Sequence, residues 1–164
     1  EKMVANDQSL TLTLVPKEIR KIEHFVDDIC DQLFINDTYY GNILMSITEL
    51  FNTLCEKSPG ETLNIIYNTD YKQIKISAKP IDKEIVNVIE SDIDLDNIMD
   101  GPYSKNIFLI KSLVDAYEVE EDALVLNFDI GALHNEIYKK RADQLQSYLK
   151  KEDVKKKQKS GDKL

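Results

Sequence analysis

Cysteine occurs only twice in these 164 residues, glycine five times and tryptophan never. Cys30 and Cys55 belong to no C-x-x-C pair and no Cys/His cluster, which removes zinc from consideration. Both fall in amphipathic segments and read as reduced thiols in or near a core. The scarce glycines do not form a phosphate-cradling loop after the first strand, so a Rossmann or P-loop site is excluded. No G-x-S-x-G motif is present. His24 and His134 have no partner at metal-ligand spacing. No apolar run approaches the roughly 18 residues needed to cross a bilayer. The opening stretch, Glu1 to Ser9, is polar and lacks a signal-peptide core, so the expectation is a cytoplasmic protein without a membrane partner.

Charge of one sign dominates. The net charge is −9, and Lys150 to Leu164 alone carries seven lysines against three acids, leaving −13 on the remainder. Such a body disfavours nucleic acid, whose phosphates require a basic footprint. The lysine-rich end reads as a disordered, solvated tail. Apolar residues still make up 42% of the chain, enough for the core of one domain.

The periodicities alternate between strand and helix. Ser9–Val15 places Leu10, Leu12 and Leu14 on one strand face. Pro16 ends that strand, and Ile19, Ile22, Val26, Ile29 and Leu33 follow at helical spacing over Lys17–Phe34. A second helix is predicted over Thr38–Glu56, with Ile43, Leu44, Ile47, Leu50, Phe51 and Leu54 as its apolar stripe. Ser58-Pro59-Gly60 breaks it. Thr62–Tyr67 and Tyr71–Ala78 form a hairpin across Asn68-Thr69-Asp70. A short helix over Lys83–Ile89 leads into the acidic stretch Glu90–Asp100. That stretch lacks the glycine and terminal Glu of a calcium loop, and its Ile93, Leu95 and Ile98 argue packing instead. Asn106–Val114 is helical, Tyr117–Val119 and Ala123–Phe128 make a second hairpin, and an amphipathic helix spans Ala132–Lys151. Hairpins alternating with helix pairs predict an α/β two-layer sandwich: a mixed, mainly antiparallel sheet of about five strands with helices on one face, plus an extra C-terminal helix. The divisions are a domain over 9–130, the helix in 131–151 and the basic tail in 152–164.

Three segments in this order resemble the anti-sigma regulatory kinases of the GHKL, or histidine kinase-like ATPase, superfamily. The resemblance covers roughly Leu10 to Phe128. It begins with the strand and helix of Leu12–Phe34. I-L-M-S-I-T-E-L-F-N-T-L-C-E-K, Ile43 to Lys57, is similar to the family's N-box helix, E-x-x-x-N. There the Glu polarises the attacking hydroxyl and the Asn holds magnesium, two roles that i, i+4 spacing puts on one helix face. Glu49 matches the acid, but Thr53 stands at the Asn position and Lys57 at a histidine often found four residues on. Asn52 is one residue early, about 100° around the helix. N-I-F-L-I-K-S-L-V-D-A-Y-E-V, Asn106 to Val119, is similar to the family's G-L-F-L-I-R-S-L-V-D-E-V. The glycines of that lid fall on Ser104 and Asn106, with Gly101 as a remnant. The D-x-G-x-G box, whose Asp reads adenine, is replaced by P-I-D-K-E, leaving Asp82 near the base-reading position.

The resemblance implies ATP and magnesium as cofactors, a sigma factor or STAS-type antagonist as partner, and a homodimer. The lost motifs imply instead that the fold persists with ATP binding weak or lost, so that the chain works by protein–protein interaction. The alternative is an active ATP-dependent serine/threonine protein kinase with divergent motifs. Tyr39, Tyr40, Tyr138 and the stripe of the helix over Ala132–Lys151 are further candidates for contact surfaces.

Overall fold

The computed structural model describes residues 8–33, 37–70, 72–130 and 143–151. The chain divides into two compact units, Glu1–Ile130 and Gly131–Leu164. The first holds β1 (Gln8–Thr13), a 3-10 turn (Pro16–Glu18), α1 (Ile19–Leu33), α2 (Asp37–Lys57), β2 (Thr62–Thr69) and β3 (Gln73–Lys79), then α3 (Lys83–Glu90), α4 (Ser104–Leu113), β4 (Ala116–Glu120) and β5 (Ala123–Asp129). The strands form one sheet in the order β1-β2-β3-β5-β4. All four pairings are antiparallel. The pairings β2–β3 and β4–β5 are hairpins, and the helix pair between β1 and β2 returns the chain to the end it left, so β2 runs back. The second helix pair does not reverse the chain: β4 runs the same way as β3, and the centre of the sheet is antiparallel because β5, the return strand of the hairpin, lies between them.

The period-2 pattern sets the buried face. In β2, Leu63, Ile65, Tyr67 and Thr69 are buried while Thr62, Ile66 and Asn68 are exposed. The register aligns Leu12 with Leu63, Tyr67 with Ile76, and Ile76 with Leu126, extending that face across the sheet. Against it pack Ile22, Val26 and Ile29 of α1, Ile43, Ile47, Leu50, Phe51 and Leu54 of α2, Ile85 and Ile89 of α3, and Ile107 and Ile110 of α4, in one apolar cluster. The expected two-layer sandwich is therefore present, with the helices on one face. On β5 the alternation breaks down: Val125 and Asn127 are buried as well as Leu124, Leu126 and Phe128.

Turn chemistry moves two boundaries. β2 continues through Thr69, which lies opposite Ile74, and β3 starts at Gln73, so the turn is displaced two residues along the chain from Asn68-Thr69-Asp70. The Asp70 carboxylate accepts from the N–H groups of Lys72 and Gln73, each at 2.9 Å. Those two bonds stabilise its charged form and hold its pKa below the usual aspartate value. At the start of the first helical region, Pro16–Glu18 forms a 3-10 turn, and Glu18 accepts from the Thr13 N–H (3.1 Å) and pairs with Lys21 (3.0 Å).

The candidate contact tyrosines of α2 are held by the fold. The Tyr39 hydroxyl donates to the Asp129 carbonyl (2.5 Å) and lies 3.2 Å from the Asp115 carboxylate. That carboxylate also accepts the Asp129 N–H at 2.6 Å. Burial, then Asp115, pushes Tyr39 up to about 12, and a hydrogen bond with Asp27 does the same for Tyr40. Cys30 is buried, which pushes its thiol up to about 12; Cys55 is half-buried and raised by the same cause. Both are inert by that measure. His24 is exposed.

In the second unit, residues 143–151 are helical, with Leu145, Tyr148 and Leu149 exposed. The rest of the helix expected over Ala132–Lys151, with Tyr138 and His134, and the tail 152–164 lie outside the described residues. None of the described helices is long and apolar enough to cross a membrane.

The core assignment has a direct test. Phe51 has no exposed surface and Met45, on the same helix, is 47% exposed. Phe51→Ala is expected to cost about 3–5 kcal/mol in urea melts, while Met45→Ala changes stability by no more than about 0.5 kcal/mol.

Candidate functional site

The i, i+4 spacing of Glu49, Thr53 and Lys57 sets the three along one line of α2, and the neighbouring helices take up each position differently. Glu49 is half-buried, and its Oε1 accepts from the Asn106 side-chain amide of α4 at 2.9 Å. Thr53 is 2% exposed and its hydroxyl donates back to the Glu49 carbonyl of its own helix at 2.8 Å. Lys57 donates to Glu84 of α3 at 2.6 Å. That hydrogen bond raises the Lys57 pKa above its ordinary value. Asn52 is exposed, on a different side of the helix from buried Thr53, as the 100° step requires. The line that the resemblance assigns to chemistry thus joins α2 to α4 at one end and to α3 at the other.

The remaining candidates are also engaged locally. Asp82 is the N-cap of α3: its carboxylate accepts from the Glu84 N–H at 2.8 Å, and its carbonyl accepts from the Val86 N–H at 3.0 Å. One carboxylate oxygen of Asp82 thus satisfies a helix end. Gly101 precedes α4, and a Cβ placed on it would stand 2.9 Å from the Ser104 hydroxyl oxygen. That oxygen is the movable end of a side chain, so the contact alone does not require glycine there. Ser104 opens α4, with its N–H directed to the Gly101 carbonyl at 3.4 Å.

Magnesium takes oxygen donors in an octahedral set. Among the described residues no group of three or more His, Cys, Asp or Glu side chains could hold a metal ion. Thr53 turns its hydroxyl into its own helix and Glu49 already binds Asn106, so these residues as arranged do not fit a magnesium site. A cleft of about 480 Å³ opens at the sheet end beyond α2, lined by Leu14, Leu54, Lys57, Glu61, Pro80 and Asp82 among others. Of the candidates it includes only Asp82. Glu49, Thr53, Gly101, Ser104 and Asn106 do not line it, so this cleft does not gather the set.

Sequence reasoning missed Asn106 as the partner of Glu49 and the pairing of Lys57 with Glu84. Neither pair carries a local signal, since the partners are 57 and 27 residues apart. The cap was available in Asp82, which directly precedes the periodic run of α3. Compared with known proteins, the chain matches no family model and no curated protein.

The capping role makes a sharp distinction between substitutions. Asp82→Ala is expected to lower stability by about 1 kcal/mol. Asp82→Asn, which keeps the accepting oxygen, is expected to leave the denaturation midpoint close to that of the parent. Equal losses in the two variants would remove the cap from the account.

Proposed function

We propose that this chain is an anti-sigma-factor-like regulatory protein that acts by binding another protein, with its ATP binding weak or lost. The observation that carries the reading is the bond from Asn106 to Glu49. A glutamate that polarises an attacking hydroxyl needs its carboxylate open to substrate. Here the carboxylate is engaged by the first turn of α4, the region that in the resembled family folds over phosphates. The back-bonded Thr53 supports the same conclusion, since its hydroxyl is turned into its own helix and not toward a metal. The acidic body supports a protein partner over a nucleic acid. By resemblance that partner is a sigma factor or a STAS-type antagonist, and a homodimer is the assembly the resemblance suggests. The alternative reading, an active serine/threonine protein kinase, requires Asn106 to release Glu49 and a metal ligand to replace the family's asparagine.

Calorimetric titration of the whole chain with ATP and magnesium tests this. The expected result is no measurable heat of binding, or a Kd no tighter than roughly 100 µM. Magnesium-dependent binding at about 1 µM or tighter would sink the reading in favour of the kinase.

A further inference from the structure

Between α3 and α4, residues 91–103 form no helix or strand, yet the segment is well tied down. Two successive turns close it: the Asn97 N–H donates to the Asp94 carbonyl (3.2 Å) and the Asp100 N–H to the Asn97 carbonyl (3.0 Å). The Asp94 carboxylate accepts from the N–H groups of Asp96 (3.0 Å) and Asn97 (3.1 Å). In return, Asn97 Oδ1 accepts from the Asp94 N–H at 2.7 Å, and its amide donates to the Asp92 carbonyl at 3.2 Å. Lys111 of α4 donates to the Ser91 carbonyl at 2.9 Å, and Ile93 and Tyr103 pack against the core.

On this fixed loop stand Leu95 and Met99, 75% and 74% exposed, the most exposed large apolar side chains among the described residues. Such turn positions ordinarily take Gly, Asn, Asp or Ser. Leucine and methionine bury almost nothing there and contribute little to the fold. Leu95, expected from its alternation with Ile93 to pack inward, instead points to solvent. A lone exposed leucine is ordinary, but two on one ordered loop make a surface that a partner can cover. The flanks determine which partner. Residues 90–100 contain Glu90, Asp92, Asp94, Asp96 and Asp100 and no lysine or arginine. A second acidic surface, a copy of this body included, is repelled. A metal ion does not account for the carboxylates, since the described residues contain no metal-ligating group and Asp94 is engaged by backbone.

We infer that this loop is a docking surface for a basic, amphipathic segment of a partner protein. The partner's apolar side chains cover Leu95 and Met99, and its lysines or arginines face the carboxylates around them. Methionine adapts its shape to what it meets, and the acids set approach and orientation. The inference rests on the protein-binding reading for the existence of a partner, and it assigns that partner a surface and a chemistry.

The probe is a fluorescein-labelled peptide of leucine and lysine whose leucines recur at helical spacing. Its control has the same composition with the leucines scattered around the helix. Anisotropy titration of the whole chain is expected to give a Kd of about 10–100 µM for the patterned peptide, with the control about tenfold weaker or more. The double variant Leu95→Ser, Met99→Ser is expected to weaken binding about tenfold with an unchanged melting temperature, since both side chains lie off the core. The triple variant Asp92→Asn, Asp96→Asn, Asp100→Asn is expected to weaken binding and flatten its salt dependence. Equal binding of the two peptides, undiminished binding to the Leu95/Met99 variant, or no binding up to about 1 mM would each overturn the proposal. The two readings fail separately. Tight ATP binding would defeat the function proposed above whatever the peptides do. Peptide failure without ATP binding would leave that function standing and remove this loop as its surface.

Discussion

The double-sided packing of α2 is the constraint on which the first unit depends. One side of the helix supplies Ile43, Ile47, Leu50, Phe51 and Leu54 to the apolar cluster over the sheet. Glu49, well around the helix from that stripe, bonds α4, and Lys57, at the helix end beside Leu54, bonds α3. A helix committed on one side alone could rotate or slide to admit a ligand. With both sides engaged, α4 is drawn onto α2, while the solvent-exposed Lys57–Glu84 pair adds little hold on α3. Buried Thr53 between the two contacts adds no donor toward solvent, because its hydroxyl returns to its own helix.

The same geometry connects the altered motifs to the functional reading. Three positions that carry nucleotide chemistry in the resembled family have here a structural use: a bridging glutamate, a back-bonded threonine and a capping aspartate. The glutamate joins α2 to α4, while the threonine and the aspartate act within their own helices. Before α4 the chain carries an ordered acidic loop tipped with Leu95 and Met99. The proposed protein-binding role rests on that fixed, charged and partly apolar surface.

Much of the fold was legible because its signals are local. The alternation of Leu10 and Leu12, the hairpin runs around Asp70 and Glu121, and the stripe from Ile43 to Leu54 each follow from neighbours within a few residues. Antiparallel pairing throughout was less evident, since at the centre of the sheet it depends on β5, not β4, lying beside β3. The site was harder to read. The alternation of Ile93 and Leu95 suggested two inward residues, but the reciprocal Asp94–Asn97 bonds turn the backbone and send Leu95 outward. Glu49 was identified as the acid of an N-box-like helix, yet its partner lies on another helix. No periodicity records a side-chain bond across 57 residues. Asn106 could be aligned with a lost glycine, whereas its contact appears only when α4 is placed beside α2.

The most direct test of the central claim is a double-mutant cycle between Glu49 and Asn106, using Glu49→Ala, Asn106→Ala and the pair together in denaturant melts. Residues sharing one hydrogen bond couple by roughly 0.5–3 kcal/mol. The account predicts a favourable coupling of about 1 kcal/mol or more, because the charged acceptor is half-buried and its donor is fixed on α4. Losses that simply add, with coupling near zero, would show that the carboxylate does not hold α4 in solution and would contradict the closed arrangement of α2 and α4.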